Sequence, residues 1–318
     1  MSTVRRFTPV LVGALAVAVA GCARSARMTD EHAGHAETTR TSTSTTTTST
    51  ITTATGLPAG AADARARVEK SPRHGEWAMV RTPSGDSVRA WVVYPERSPK
   101  APVVLVVHEI FGISPWIRAV TDQLAAEGFI AIAPDLLTGK GVGGTADSAD
   151  ATAAVAAVRQ LQQAEVQSRL LAVANYGMGL PAAEKRYGIV GFCWGGSTVF
   201  AHAAAAPGLG AGVAYYGGVN TAQVDLTKAK AAVLGLYGEN DARVNATLPA
   251  ADSALKKAGV PWESAVYPGA GHGFLRQQDG QNGANLAATQ KAWPKTIAWF
   301  RQHLESRCAT GERRVSNV

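Results

Sequence analysis

The chain has 318 residues and is 46% hydrophobic, enough to bury a substantial core in one large domain or two small ones. Its formal charge of +7 is spread thinly over helix faces, the N-terminus and the tail, which argues against nucleic acid or a membrane surface as a partner. Three cysteines, Cys22, Cys193 and Cys308, are too few for the disulfide framework of a small secreted domain, so each needs its own explanation.

The N-terminus has the build of an export signal. Arg5 and Arg6 precede an apolar run over residues 10–20, too short to span a bilayer comfortably, and Gly21-Cys22 follow at once. Val19-Ala20-Gly21-Cys22 resembles a bacterial lipobox, in which the cysteine becomes the lipid-bearing first residue. A plain cleaved secretory signal is the alternative, and a start at Met28 would remove the signal altogether. Residues 38–55 are nearly all Thr and Ser, without hydrophobic periodicity, and are expected to form a flexible tether. His32 and His35 fall in the same region and read as solvated tail rather than as metal ligands.

Folded sequence is expected from about Trp77. Residues 77–81 and 87–94 alternate around Pro83-Ser84-Gly85-Asp86, as in an antiparallel hairpin at a sheet edge. Residues 102–107 are a continuous Val/Leu run, the pattern of a parallel strand buried on both faces. Ser114 can cap a helix with Pro115 in its first turn and Gly128 just past its end. Strand and helix then alternate. Strands are expected at 129–133, 188–192, 213–216, 231–237 and 263–267, and helices at 153–174, 195–206, 250–258 and 286–304. Glu165 and Arg169 are spaced to pair, and Pro294 is expected to kink or restart the last helix. Such alternation implies an α/β fold with a mostly parallel sheet covered on both faces. Ligands should then bind at the carboxyl ends of the strands.

Gly191-Phe192-Cys193-Trp194-Gly195-Gly196 lies between a buried strand and a helix, where glycines permit a strained turn that thrusts the middle side chain outward. Cys193 stands where serine hydrolases place serine. The helix start should favour its thiolate, and the Trp194 N–H can face a developing oxyanion. The plainer alternative is a buried structural cysteine. A nucleophile needs a base oriented by an acid, in the order nucleophile, acid, histidine. Asp241 follows the 231–237 strand, and His272 follows the 263–267 strand among glycines; Glu239 is the rival acid. His202 and His303 read as helix-face residues, and His74 precedes the domain.

With His108-Glu109-Ile110-Phe111-Gly112 directly after the buried 102–107 strand, the chain resembles the dienelactone hydrolase family over about residues 77–304. The resemblance rests on that segment, Ala133-Pro134-Asp135-Leu136, the cysteine elbow, Tyr215-Tyr216-Gly217-Gly218, Asp241 and Gly271-His272. It implies a single α/β-hydrolase domain over residues 75–305, after an export signal (1–22) and a tether (23–74) and before a tail (306–318). It also implies a Cys193, His272, Asp241 triad, with Glu109 holding the resting thiol neutral until substrate displaces it. The backbone N–H groups of Ile110 and Trp194 would form the oxyanion hole. Tyr216, Arg276 and Phe111 would border the substrate, although Tyr216 could be core filling and Arg276 a surface cation. A second arginine used by the family is not evident between Ala133-Pro134-Asp135-Leu136 and the elbow, so dienelactone itself is not the expected substrate.

The activity expected is hydrolysis of a small carboxylic ester or lactone through a thioester, with no metal and no organic cofactor. Amides suit a cysteine less well, because the thiolate is the better leaving group when the tetrahedral intermediate collapses. A monomer is expected, exported and attached to the bacterial envelope only through a lipid on Cys22, with no nucleic-acid partner. The rival is a lipid-anchored binding protein on a hydrolase fold that no longer reacts.

Overall fold

The computed structural model describes residues 56–97, 99–142 and 151–305. The export signal, Cys22, His32, His35, the Thr/Ser stretch, Cys308 and the tail lie outside the described residues.

The folded body begins well before Trp77. Helix α1 (Ala64–Glu69) packs on α2 (Pro115–Ala126), and Leu57, Ala59 and Ala64 are buried. Arg73 Nη2 meets the buried Asp122 at 2.6 Å, and Arg67 approaches the same carboxylate at 3.6 Å. Ala61 N–H donates to the Arg276 carbonyl at 2.8 Å, and Gln278 Nε2 donates to the Pro58 carbonyl at 2.9 Å. The expectation of a tether reaching residue 74 is therefore corrected. Residues 56–73 carry more apolar side chains than the Thr/Ser stretch, together with the cations that the buried Asp122 requires.

Strands β1 (Gly75–Arg81) and β2 (Ser87–Val93) form the expected antiparallel hairpin at the sheet edge, turned at Gly85 with φ 92°. Next come β3 (Ala101–Val107), α2, β4 (Ile130–Pro134), α3 (Ala151–Gln160), α4 (Gln163–Gly179), β5 (Ala183–Phe192) and α5 (Trp194–Ala205). The order continues with β6 (Leu209–Tyr215), β7 (Ala232–Asn240), α6 (Ala242–Asn245), α7 (Leu248–Ala258), β8 (Trp262–Gly271) and α8 (Ala284–Leu304). The eight strands make one sheet in the order β1-β2-β4-β3-β5-β6-β7-β8, parallel from β4 through β8.

Both faces of the sheet are covered. Along β3, Val104 and Val106 join a core with α2 and α8, while Val103, Leu105 and Val107 join another with α4 and α5. Period-two alternation within a fully apolar strand thus feeds two cores at once, as the unbroken Val/Leu run implied. Ser114 caps α2, accepting from the Ile117 N–H at 3.3 Å.

Two expectations are revised. The single helix over 153–174 is two, because the chain extends at Gln162 while Leu161 packs against the cores under both α3 and α4. Helix α8 runs unbroken through Pro294. The proline and Gln290, whose carbonyl it frees, are both exposed residues, while Trp293 and Ile297 hold the buried side. Glu165 and Arg169 do pair, at 3.1 Å.

The chain leaves β3 for β4 on one side and returns past it to β5 on the other. This reversal opens a crevice at the carboxyl ends of β3 and β5.

Candidate active site

The turn from β5 to α5 leaves Cys193 at φ 55°, ψ −113°, a conformation that only a tightly constrained non-glycine residue holds. The neighbouring glycines make it feasible, since a Cβ on Gly191 would fall 2.1 Å from the Gly195 carbonyl oxygen and one on Gly195 2.5 Å from that of Val107. Cys193 N–H donates to Tyr215 on β6 at 3.1 Å, and the buried Phe192 ring packs edge-on to Trp116 with centroids 4.9 Å apart. Strand pairing and core packing on both sides thus hold the bend.

Asp241 and His272 come together through sheet register. Asn240, last in β7, is opposite Gly271, last in β8, so the residues after them emerge side by side. His272 Nδ1 is 2.5 Å from Asp241 Oδ2; a carboxylate only accepts, so Nδ1 carries the proton. Asn240 Nδ2 donates to the Gly269 carbonyl at 3.0 Å, and the buried Asn285 at the start of α8 accepts from the Gly271 N–H at 2.9 Å. Glu239, the rival acid, instead accepts from the Gly269 N–H at 2.9 Å and braces the same loop.

Beyond β3, Glu109 is buried at 3% exposure, and its Oε2 lies 2.7 Å from Arg276 Nε. The Arg276 guanidinium also lies over the Phe111 ring, 5.4 Å from its centroid. Burial pushes the Glu109 carboxyl up, against the opposing pull of Arg276 and His272. The Cys193 thiol is pushed up by burial first and then by the Glu109 charge, while the Trp194 N–H and Arg243 pull it down. The Trp194 N–H at the helix start does favour the thiolate, as expected, but burial and the nearby carboxylate outweigh it, so the net direction is toward a neutral thiol.

Cys193, His272, Ile110, Trp194, Tyr216 and Arg243 all line one cavity of about 470 Å³. Tyr216 follows β6 at φ 38° with its ring buried 5.1 Å from that of His272, and its hydroxyl has no partner among the described residues. It is core filling and cavity wall together. Phe111 and Arg276 are not in the cavity lining; Arg276 is held on Glu109, and Phe111 lies under its guanidinium. Arg243, two residues beyond Asp241 on the short α6, was missed from sequence. The rule that ligands lie at strand carboxyl ends could have flagged it.

A mostly parallel sheet with a strained strand-to-helix turn at Cys193, and with an acid and a histidine at the ends of later strands, has the build of an α/β-hydrolase. The model of the dienelactone hydrolase family matches residues 88–304, and the chain belongs to that family. Proteins named "Putative carboxymethylenebutenolidase" from Methylorubrum extorquens and Salmonella typhimurium are 35% and 36% identical to it, over 70% and 69% of this chain and 80% and 84% of theirs. A crystal structure from Klebsiella pneumoniae, described as a "Putative Dienelactone Hydrolase", is 30% identical with a TM-score of 0.62, covering 72% of this chain and 99% of that one. The dienelactone hydrolase-like phosphotriesterase P91, from metagenomic libraries, has the same TM-score at 22% identity, over 73% of this chain and 98% of its own, and shares the fold.

Proposed function

We propose that the chain hydrolyses small carboxylic esters or lactones with Cys193 as nucleophile. The observation that carries this reading is the 2.5 Å Asp241–His272 contact in the cavity that Cys193 also lines. Asp241 fixes the His272 tautomer, leaving Nε2 free to take the thiol proton as sulfur attacks the carbonyl carbon. The backbone N–H groups of Ile110 and Trp194 receive the oxyanion, and His272 returns the proton to the departing alcohol. Water, deprotonated at His272, then splits the thioester, releasing the acid and restoring the thiol. The resting thiol stays protonated because burial and Glu109 raise its pKa, which spares it from adventitious alkylation and oxidation.

The test is turnover on a panel of esters and lactones. Cys193→Ala and His272→Ala should each abolish hydrolysis with the fold intact. Asp241→Asn should lower kcat by on the order of 10²–10⁴-fold, and Glu239→Gln should leave it nearly unchanged. Residual activity above a tenth of wild type in Cys193→Ala would assign the nucleophile elsewhere, and a wild type inert on the whole panel would favour a binding role. For location, the lipobox-like run before Cys22 supports an exported, lipid-anchored protein, and Cys22→Ala should release the chain from bacterial membranes or block its processing.

A further inference from the structure

Resting on the thiolate mechanism above, we infer that His108 positions the oxyanion hole. Its ring N–H anchors the carbonyl of the peptide whose N–H, that of Ile110, is one donor, and its face lies against the side chain of Trp194, whose N–H is the other.

His108 is the first residue after β3 and is fully buried. Its Nδ1 is 2.6 Å from the Glu109 carbonyl oxygen. A carbonyl only accepts, so Nδ1 carries the proton. Burial pushes the ring pKa down and holds the imidazole neutral, which leaves Nε2 as a bare lone pair, and it has no hydrogen-bond partner among the described residues. An unpartnered buried nitrogen is a cost that an apolar ring of the same shape would avoid, so the polarity kept here points to work done at Nδ1. The ring stacks on Trp194 at 22° between planes, with centroids 5.5 Å apart.

A peptide group is planar, so fixing the Glu109 oxygen fixes the direction of the Ile110 N–H on its opposite side. The other donor to that oxygen, the Gly112 N–H, is 3.4 Å away, so His108 makes the shorter contact. A hydrogen bond to the carbonyl also polarises the amide and strengthens its N–H as a donor. Donors held in place before the oxyanion forms need no rearrangement as it forms, and this is where such sites gain rate.

The test pairs two variants with two reactions. His108→Phe keeps the stack and removes the donor; His108→Asn keeps an N–H at the same distance along the side chain. Ester hydrolysis passes through an oxyanion, whereas alkylation of Cys193 by iodoacetamide does not, so the two rates separate oxyanion positioning from general damage. His108→Phe should lower kcat roughly ten-fold, less than the loss of a whole oxyanion donor, with KM and the alkylation rate near wild type. His108→Asn should recover most of kcat. Unchanged kcat in His108→Phe, or parallel losses in hydrolysis and alkylation, would overturn the proposal. If His108→Phe does not fold, His108→Asn decides alone, and a kcat as low as one tenth of wild type would overturn it. Failure of the parent reading looks different, because Cys193→Ala would then retain hydrolysis.

Discussion

The Arg276 guanidinium closes on the Glu109 carboxylate, Nε to Oε2 2.7 Å, and Arg243 is the arginine that lines the cavity. For Arg276 to read substrate charge it would have to leave Glu109 and the Phe111 ring. Arg243 makes no ion pair among the described residues, and its charge already reaches the Cys193 sulfur.

The two arginines should therefore separate kinetically. Arg243→Ala should raise KM for carboxylate-bearing esters by roughly three- to ten-fold, the scale of an exposed charged contact, and barely affect neutral esters. Added salt should shrink that difference. Arg276→Ala should lower kcat on charged and neutral esters alike, since it strips a buried carboxylate of its counterion. A selective loss on anionic esters in Arg276→Ala, with none in Arg243→Ala, would exchange the two roles.

Glu109 should act on the thiol through its charge. Burial is the first cause of the raised Cys193 pKa and Glu109 the second, so Glu109→Gln should lower that pKa while leaving it elevated. The pH profile of iodoacetamide labelling, followed by mass spectrometry on the peptide containing Cys193, should move to lower pH. A profile that stays in place would show that the Glu109 charge does not act on the thiol.

His202 makes stability pH-dependent. It is buried inside α5, bonded through Nδ1 to Gln167 Oε1 at 2.6 Å and through Nε2 to the Tyr187 hydroxyl at 3.0 Å, and burial pushes its pKa down to about 4. In the unfolded chain the ring takes a proton near its ordinary value of about 6.5. Between those values the unfolded chain binds more protons, so the neutral ring's contribution is whole above about pH 6.5 and drains as pH falls toward 4. The amount at stake is on the order of 3 kcal/mol. His202→Gln should flatten the dependence of unfolding free energy on pH across this window. Equal slopes in variant and wild type would place the acid sensitivity elsewhere.

Shortening the chain to begin at residue 75 should destabilise it by at least about 2 kcal/mol, because the buried Leu57 and the counterions of Asp122 are lost together. A chain beginning at residue 56 should unfold like the full-length protein in urea. Equal midpoints for the two would show that the early segment is only draped on the domain.

Features written in local sequence were legible. The unbroken run in β3, the Ser114-Pro115 start of α2 and the glycines around Cys193 each specify a geometry within a few residues, and Asp241 and His272 follow their strands directly. What escaped depends on partners far along the chain. Residues 56–73 look like tether until Asp122 appears beside them, and Arg276 looks like a pocket cation until Glu109 is seen against it. His108 could be placed next to the site, but no pattern in sequence reveals that its Nδ1 folds back on the following carbonyl.

Asp241 and His272 are brought side by side by the last rung of the β7–β8 ladder, Asn240 opposite Gly271. Adjacent strands lie about 4.8 Å apart, so the Asp241–His272 pair starts from a spacing set by the backbone ladder. Segments beyond Asp241 and His272, including the short α6 that carries Arg243, can then change length and chemistry without altering the distance between acid and histidine. A scaffold of this kind can rebuild its rim while the aspartate and the histidine stay in register.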